Sequence, residues 1–361
     1  MFGGLLTAPK DLHAETRSFA IDYFSQASYS QDNDCPGGIN PPTRDIFRSK
    51  LEELGKTPAE VEQLLSDYAE GGMKGTRVRN LVGNRAIVNG QPVNAFAHPL
   101  AVKDPNIKTV VGKFAYGFDL DGKTGPNSFI EPITKEAGID NELFRAMGCI
   151  EQFRGTHSFR PTFWDFIWGS MRAAGSPAWL ISITGDDLSK NGPVTITFDR
   201  ALEALVISSN GPATPDVTYR ADPDPRSHHV LKGEIKDGVV TVTEPGYLKL
   251  LLDPLSFPHF VLHDTHLRLT LLPNGNADGF IGGYQPWRDF YFAVASGGLS
   301  FEGNIISDTI GAYYALRKLA DGLPNAQTGE NDAISATYRI ETVSAFVIPP
   351  QGGVQKTASN R

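Results

Sequence analysis

The chain has 361 residues, 40% of them hydrophobic, which is enough to bury a full core and by length favours two domains over one. Its net charge is −8 and its 33 Lys and Arg are dispersed, so it lacks the concentrated positive charge that binding nucleic-acid phosphates requires. No apolar run approaches the roughly 20 residues of a membrane-spanning helix, and Met1 to Lys10 lack the charged and apolar regions of a secretory signal.

With 37 Gly, 25 Pro and 21 Phe, the chain reads as many turns and short strands with aromatic packing between them. From Asp11 to Gln26 the pattern predicts a helix, followed by a polar loop from Ser28 to Asn40. Thr43 to Leu54 follows as a helix with Ile46, Phe47, Leu51 and Leu54 on its apolar face and Gly55 as its stop. Thr57-Pro58-Ala59-Glu60 is a capping box with Pro at the first helical position, opening a second helix that runs to about Ala69. Arg77 to Val93 then reads as short strands around the Asn89-Gly90 turn.

Ile139 to Met147 and Pro161 to Ala174 read as helices, the second dense in Phe and Trp. After Gly175 the pattern changes to alternating β sequence, with strands beginning at Trp179, Val194, Ala204, Val217, Val230, Val239, Tyr247 and Phe260. That cadence is the signature of a sandwich or open barrel, and Asp237-Gly238 is a hairpin turn. Helices from Gln285 to Ala295 and Ile305 to Asp321 and a last strand from Ser335 to Phe346 complete the pattern. The predicted fold is therefore α+β. A helix-rich N-terminal region (1–175) packs on an antiparallel β-sandwich-like unit with C-terminal helices (176–348), followed by a frayed tail (349–361).

Cys35 and Cys149 are the whole cysteine inventory. They allow one disulfide or two unrelated buried thiols, and exclude a four-cysteine zinc site, an iron–sulfur centre and, with no Cys-x-x-Cys-His, an attached c-type haem. Between them lies the most distinctive stretch, Asp119-Leu120-Asp121-Gly122-Lys123-Thr124-Gly125-Pro126-Asn127. Asp119, Asp121, Asn127 and Asp140 offer the hard oxygen ligands that calcium takes, although the spacing is not that of an EF-hand. The same residues also read as an Asx-turn loop bonded to its own backbone. Asn274 to Gly279 and Asp321 to Asp332 pose the same choice, and there the turn reading is preferred.

Asp34-Cys35-Pro36, Tyr116-Gly117-Phe118-Asp119-Leu120-Asp121-Gly122 and Gly138-Ile139-Asp140-Asn141 leading to Gly148-Cys149 resemble a group of uncharacterised exported bacterial proteins. The resemblance covers about a third of the chain. It implies an extracytoplasmic (periplasmic or secreted) setting and a Cys35 to Cys149 bridge, and it supplies no activity. The missing export signal departs from it.

His259, His263 and His266 form the sharpest catalytic constellation, since three imidazoles could hold zinc, iron or copper. On a strand, however, His259 and His263 share a face while His266 points away, so a three-histidine site needs a bulge. A pair completed by His228, His229 or His157 is the alternative, and satisfied histidines on a half-exposed strand are the bland reading. Nucleophile elbows and phosphate or dinucleotide loops are absent. Tyr284 and Trp287 mark a candidate partner-binding surface, with core packing as its competitor. The sequence thus favours a non-enzymatic extracytoplasmic protein, a binding module or accessory subunit of a larger assembly, stabilised by calcium through Asp119 and Asp121. The competing reading is a metal-dependent oxidoreductase or hydrolase using the histidines.

Overall fold

The computed structural model describes residues 14–155, 160–251, 259–296 and 308–350 and is built around a closed antiparallel β-barrel of eight strands. The staves are β1 (Glu15–Gln26), β2 (Pro177–Gly185), β3 (Gly192–Ala204), β4 (His228–Lys236), β5 (Val239–Glu244), β6 (His259–Leu271), β7 (Ala277–Pro286) and β8 (Asn331–Ile348). Each stave pairs with the next in chain order, and β8 returns to pair with β1. Closure removes the exposed edges that an open sheet would present to other chains. Shorter strands lie alongside: Val217–Arg220 parallel to β8, Gly246–Leu251 on β6 and Gly322–Pro324 on β8.

Strand alternation fills the barrel with side chains, as the narrow interior of eight staves requires. Phe24 of β1, Trp179, Ile181 and Ile183 of β2, Phe198 of β3, Leu267 of β6 and Tyr338 and Ile340 of β8 belong to one buried cluster. Leu180 and Ala345, of opposite parity, and Ala20, which precedes a bulge between Ile21 and Tyr23 that shifts the alternation of β1, join a second cluster outside the barrel with Ala213 and Tyr219.

Helices α1 (Thr43–Glu53), α2 (Pro58–Glu70) and α3 (Gly72–Gly83) share a small core of Phe47, Leu51, Val61, Leu65, Val78 and Val82. The capping box forms as expected, with Thr57 N donating to Glu60 Oε2 at 2.8 Å and Glu60 N to Thr57 Oγ1 at 3.4 Å. Helices α4 (Glu142–Met147), α5 (Thr162–Ala173), α6 (Trp287–Ser296) and α7 (Thr309–Leu319) all bury residues in the barrel cluster. Strand β7 runs directly into α6 at Trp287. The Asn89-Gly90 and Asp237-Gly238 turns are present, each with positive φ at both residues, as two-residue hairpins require.

Three expectations are corrected, the first being that strands begin at Arg77: the chain is helical there to Gly83, as the last part of α3, and the strands around Asn89-Gly90 are only Ala86–Val88 and Gln91–Val93. The chain is mostly β, 38% strand against 26% helix, and the β unit closes as a barrel instead of packing as a sandwich beside a helix-rich region. The segment expected to be helical up to Gln26 is the stave β1, held between β2 and β8. Its apolar residues Phe19, Ile21 and Phe24 fit either period over so short a run, and pairing with a strand more than 300 residues away decides between them. Because β1 belongs to the barrel, the expected boundary at 175 runs through one hydrogen-bonded unit, while the predicted tail lies outside the described residues from 351 onward.

Cys35 and Cys149 are disulfide-bonded, with Cα atoms 5.8 Å apart, in a buried cluster with Val110, Phe129, Ile139 and Phe144. Among the described residues, no helix is long and apolar enough to cross a membrane.

Candidate functional site

The distinctive loop is anchored to the barrel rather than swinging free. Phe118 bridges Asp140, whose N donates to Phe118 O at 2.8 Å, while Leu120 N donates to Asp140 Oδ2 at 2.8 Å. These bonds fold the segment over so that ligand oxygens of Asp119, Asp121 and Asp140 all lie within 4.8 Å of one another. Two glycines make the approach possible. Gly122 turns the chain at φ +69°, and a Cβ on Gly138 (φ +89°) would stand 3.2 Å from Asp119 Oδ2. Each aspartate also accepts a backbone N–H: Gly122 N on Asp119 at 2.8 Å and Lys123 N on Asp121 at 2.9 Å, the Asx-turn geometry of the bland reading. Asn127 stays outside this group; it is exposed, and its carbonyl accepts from Arg145.

The surroundings add negative charge. Burial, then repulsion from Asp121 and Asp321, pushes Asp140 up to about 6, against the pull of the Leu120 N–H. Burial likewise lifts Glu142 to about 7, with Asp321 and Asp140 adding to the push and Arg145, bonded at 2.8 Å, opposing it. The Tyr284 hydroxyl is raised by burial and then by Asp321, Asp140, Asp121 and Asp264. Opposing cations are few: Lys123 Nζ reaches Asp121 at 3.0 Å from a largely exposed position. Three carboxylates at this spacing have the donor set of a hard divalent cation such as calcium.

The histidines do not gather. His259 Nε2 faces Asp289 at 3.4 Å, whereas the His263 ring packs edge-on against Tyr247 at 5.2 Å. A bulge between His263 and His266, with Asp264 at φ +50°, turns His266 onto Phe118, where burial lowers its pKa. His228 Nδ1 pairs with Asp199 at 2.7 Å, His229 lies against Tyr247 and bonds Lys249 N, and His157 falls outside the described residues. Among the described residues, the one group of three metal-ligating side chains is the aspartate trio. Nor do Tyr284 and Trp287 form a docking surface. Trp287 is fully buried with Nε1 donating to Asn331 O at 3.0 Å, and Tyr284 is 9% exposed beneath Gly322.

A site the sequence reading missed lies on the outer wall of the barrel. Cross-strand register aligns Arg268 of β6, Phe280 of β7, Arg339 of β8 and Ser25 of β1 in one outward row, with Thr270, Asp278, Glu341 and Tyr23 in the next. The segment carrying the aspartates crosses this floor. Tyr116 stacks on Phe280 with centroids 4.9 Å apart, and Phe118 lies over Gly282, where a Cβ would come within 2.7 Å of its ring. Two cavities open beside the stack, of about 270 and 360 Å³, sharing Tyr116, Phe280 and Arg339 as a common wall.

In the smaller cavity Arg160 and Arg339 straddle Glu341 at 2.5 and 3.0 Å, with the Arg160 guanidinium 3.7 Å from the Tyr23 ring centroid. Gln26, 1% exposed, lines the same cavity, and neither atom of its amide has a hydrogen-bond partner; the buried Ser30 Oγ is likewise unpaired. In the larger cavity the buried Glu131 accepts from Ile133 N and Thr134 N through Oε2, leaving Oε1 facing Arg268 at 3.6 Å. Arg339 lies in the strand predicted from Ser335 to Phe346, but the strand that carries Phe280 is not among those predicted, and which strands stand side by side is set by register alone. No protein-family model, curated protein or solved structure shows significant similarity to this chain, so its function is argued from this geometry.

Proposed function

We propose that the chain is a non-enzymatic binding protein of an extracytoplasmic, oxidising setting, acting as a binding module or accessory subunit, and that it takes its ligand in the outer-wall cleft. The observation that carries this reading is the Gln26 amide, almost fully buried against the cleft with both polar atoms unmatched. Buried amides are nearly always paired in folded proteins, and an exception beside a cavity points to a group that arrives from outside. The disulfide supports the setting, because such bonds persist in oxidising compartments. The separation of His259, His263 and His266 favours binding over a metal-dependent oxidoreductase or hydrolase.

Calcium enters this reading as a clamp. Held by Asp119, Asp121 and Asp140, it would fix the segment that carries Tyr116 into the cleft wall. A thermal-shift screen of chemically diverse small molecules tests the binding function. Ligands should raise the melting temperature of the wild type but not of Ser30→Phe, which fills the cleft. A screen in which no ligand distinguishes the two proteins removes the reading. Calcium should raise the melting temperature and a chelator lower it.

A further inference from the structure

We infer that the ligand of the cleft is a neutral, hydroxyl-rich chain, an oligosaccharide, an assignment that rests on the binding reading above. The unmatched groups set the chemistry first. Gln26 presents one acceptor and two donor hydrogens, and Ser30 a hydroxyl, none with a protein partner. A ligand that both donates and accepts at neighbouring atoms satisfies them, which is what sugar hydroxyls do; an anion could serve only the donors.

Charge narrows the class. The ionic residues lining the two cavities are Arg160, Arg268 and Arg339 against Glu131, Asp278 and Glu341, three of each sign. Arg160 and Arg339 are already bound to Glu341, and Arg268 faces Glu131. The six charges sum to zero over the two cavities, with the two arginines of the smaller one sharing a single carboxylate and Asp278 of the larger one as the counterweight, so net charge does not select an ionic ligand and hydrogen bonding decides. Shape supplies the rest. Two adjoining cavities that share the Tyr116 and Phe280 wall suit a chain of rings passing the aromatic pair better than one compact molecule.

The test is titration calorimetry of the full-length protein with maltohexaose, cellohexaose and chitohexaose, and with hexagalacturonate as the anionic counterpart. At least one neutral hexasaccharide should bind, and Gln26→Leu should weaken it about tenfold, the loss of one or two hydrogen bonds. The same variant should melt no lower than wild type, because an amide without a protein partner is replaced by an apolar group of similar shape. Ser30→Ala, a milder change, should weaken binding severalfold and guards against a Gln26 variant that does not fold. Failure of every neutral hexasaccharide overturns the assignment. Hexagalacturonate binding that Gln26→Leu abolishes would then leave the cleft as a site for another ligand. If Gln26→Leu instead lowers the melting temperature and no probe binds, the amide is structural and the binding reading falls as well.

Discussion

Phe24 of β1 stacks on Tyr338 of β8, ring centroids 4.8 Å apart and planes within 11°, at the seam where the last stave returns to the first. Trp164 and Trp168 of α5, Trp179 of β2 and Phe260 of β6 also reach the Phe24 ring. One side chain thus links the closing pair, a neighbouring stave, the far wall and a packed helix. Phe24→Ala should destabilise the protein by about 3–5 kcal/mol, whereas Phe24→Leu, which keeps more of the volume, should cost less than half of that. Urea titration followed by near-UV circular dichroism reads both. A cost for Phe24→Ala near that of an ordinary surface substitution would show that the seam is not where the barrel is held.

The seam also shows what was legible in the sequence. Local signals fixed α1, α2 and α5, the Asn89-Gly90 and Asp237-Gly238 turns and most barrel strands, because capping, turn chemistry and alternation act within a few residues. Closure was not legible, since it depends on β1 finding β8 across the length of the chain. With β1 read as a helix, the remaining strands had no partner to close on and a sandwich was the natural result. The same non-locality hid the cleft. Asp119, Asp121 and Asp140 could be grouped from sequence because the turn between Asp119 and Asp121 is local, but Ser25, Arg268, Phe280 and Arg339 are neighbours only through strand register.

The disulfide joins residues 114 apart, and the chain between them forms helices α1 to α4, two short hairpins and several loops. Closing so long a loop restricts the unfolded chain by about 4–5 kcal/mol in the chain-entropy model. The double variant Cys35→Ser and Cys149→Ser should lose stability of that order, and the wild type in reductant should match it. Denaturant midpoints with and without reductant measure the difference. Equal midpoints would mean that the bridge does not constrain the unfolded state.

Lys50 of α1 meets Asp308 at 3.3 Å, both side chains below 10% exposed, and Asp308 also caps α7 by accepting from Gly311 N at 2.8 Å. Lys50→Met leaves a buried carboxylate unpaired and should cost about 3–5 kcal/mol. Adding Asp308→Asn removes that charge while retaining a capping oxygen, so the double variant should recover most of the loss. Chemical denaturation of the three variants forms the thermodynamic cycle. A double variant no more stable than Lys50→Met alone would place the cost in packing of the lysine stem instead of in the charge.

The acidic groups around Asp140 give a pH dependence that the proposed calcium should oppose. In the folded chain Asp140 is raised from 3.8 to about 6 and Glu142 from 4.5 to about 7, so both hold protons more tightly folded than unfolded. Between pH 4 and 7 the folded state therefore binds the extra protons, and without a cation these groups make stability fall as pH rises through that window. The charges facing Asp140 are Asp119, Asp121, Asp321 and Glu142, with Lys123 and Arg145 in opposition, so deprotonation crowds like charges together. Calcium binds the ionised form and must displace these protons, so the stabilisation it adds should be larger at pH 7.5 than at pH 5.5. Melting temperatures at the two pH values, with calcium and with chelator, resolve the two slopes. In Asp140→Asn the chelator-state slope should flatten and the calcium shift should largely disappear, because the variant cannot ionise and offers one ligand charge fewer. Since Tyr116 and the aspartates share one segment, that variant should also loosen the cleft wall and weaken any ligand held there, whereas Gln26→Leu should leave the calcium shift intact. A calcium shift that is the same at both pH values and survives Asp140→Asn would place the cation elsewhere and leave these turns as Asx-bonded loops.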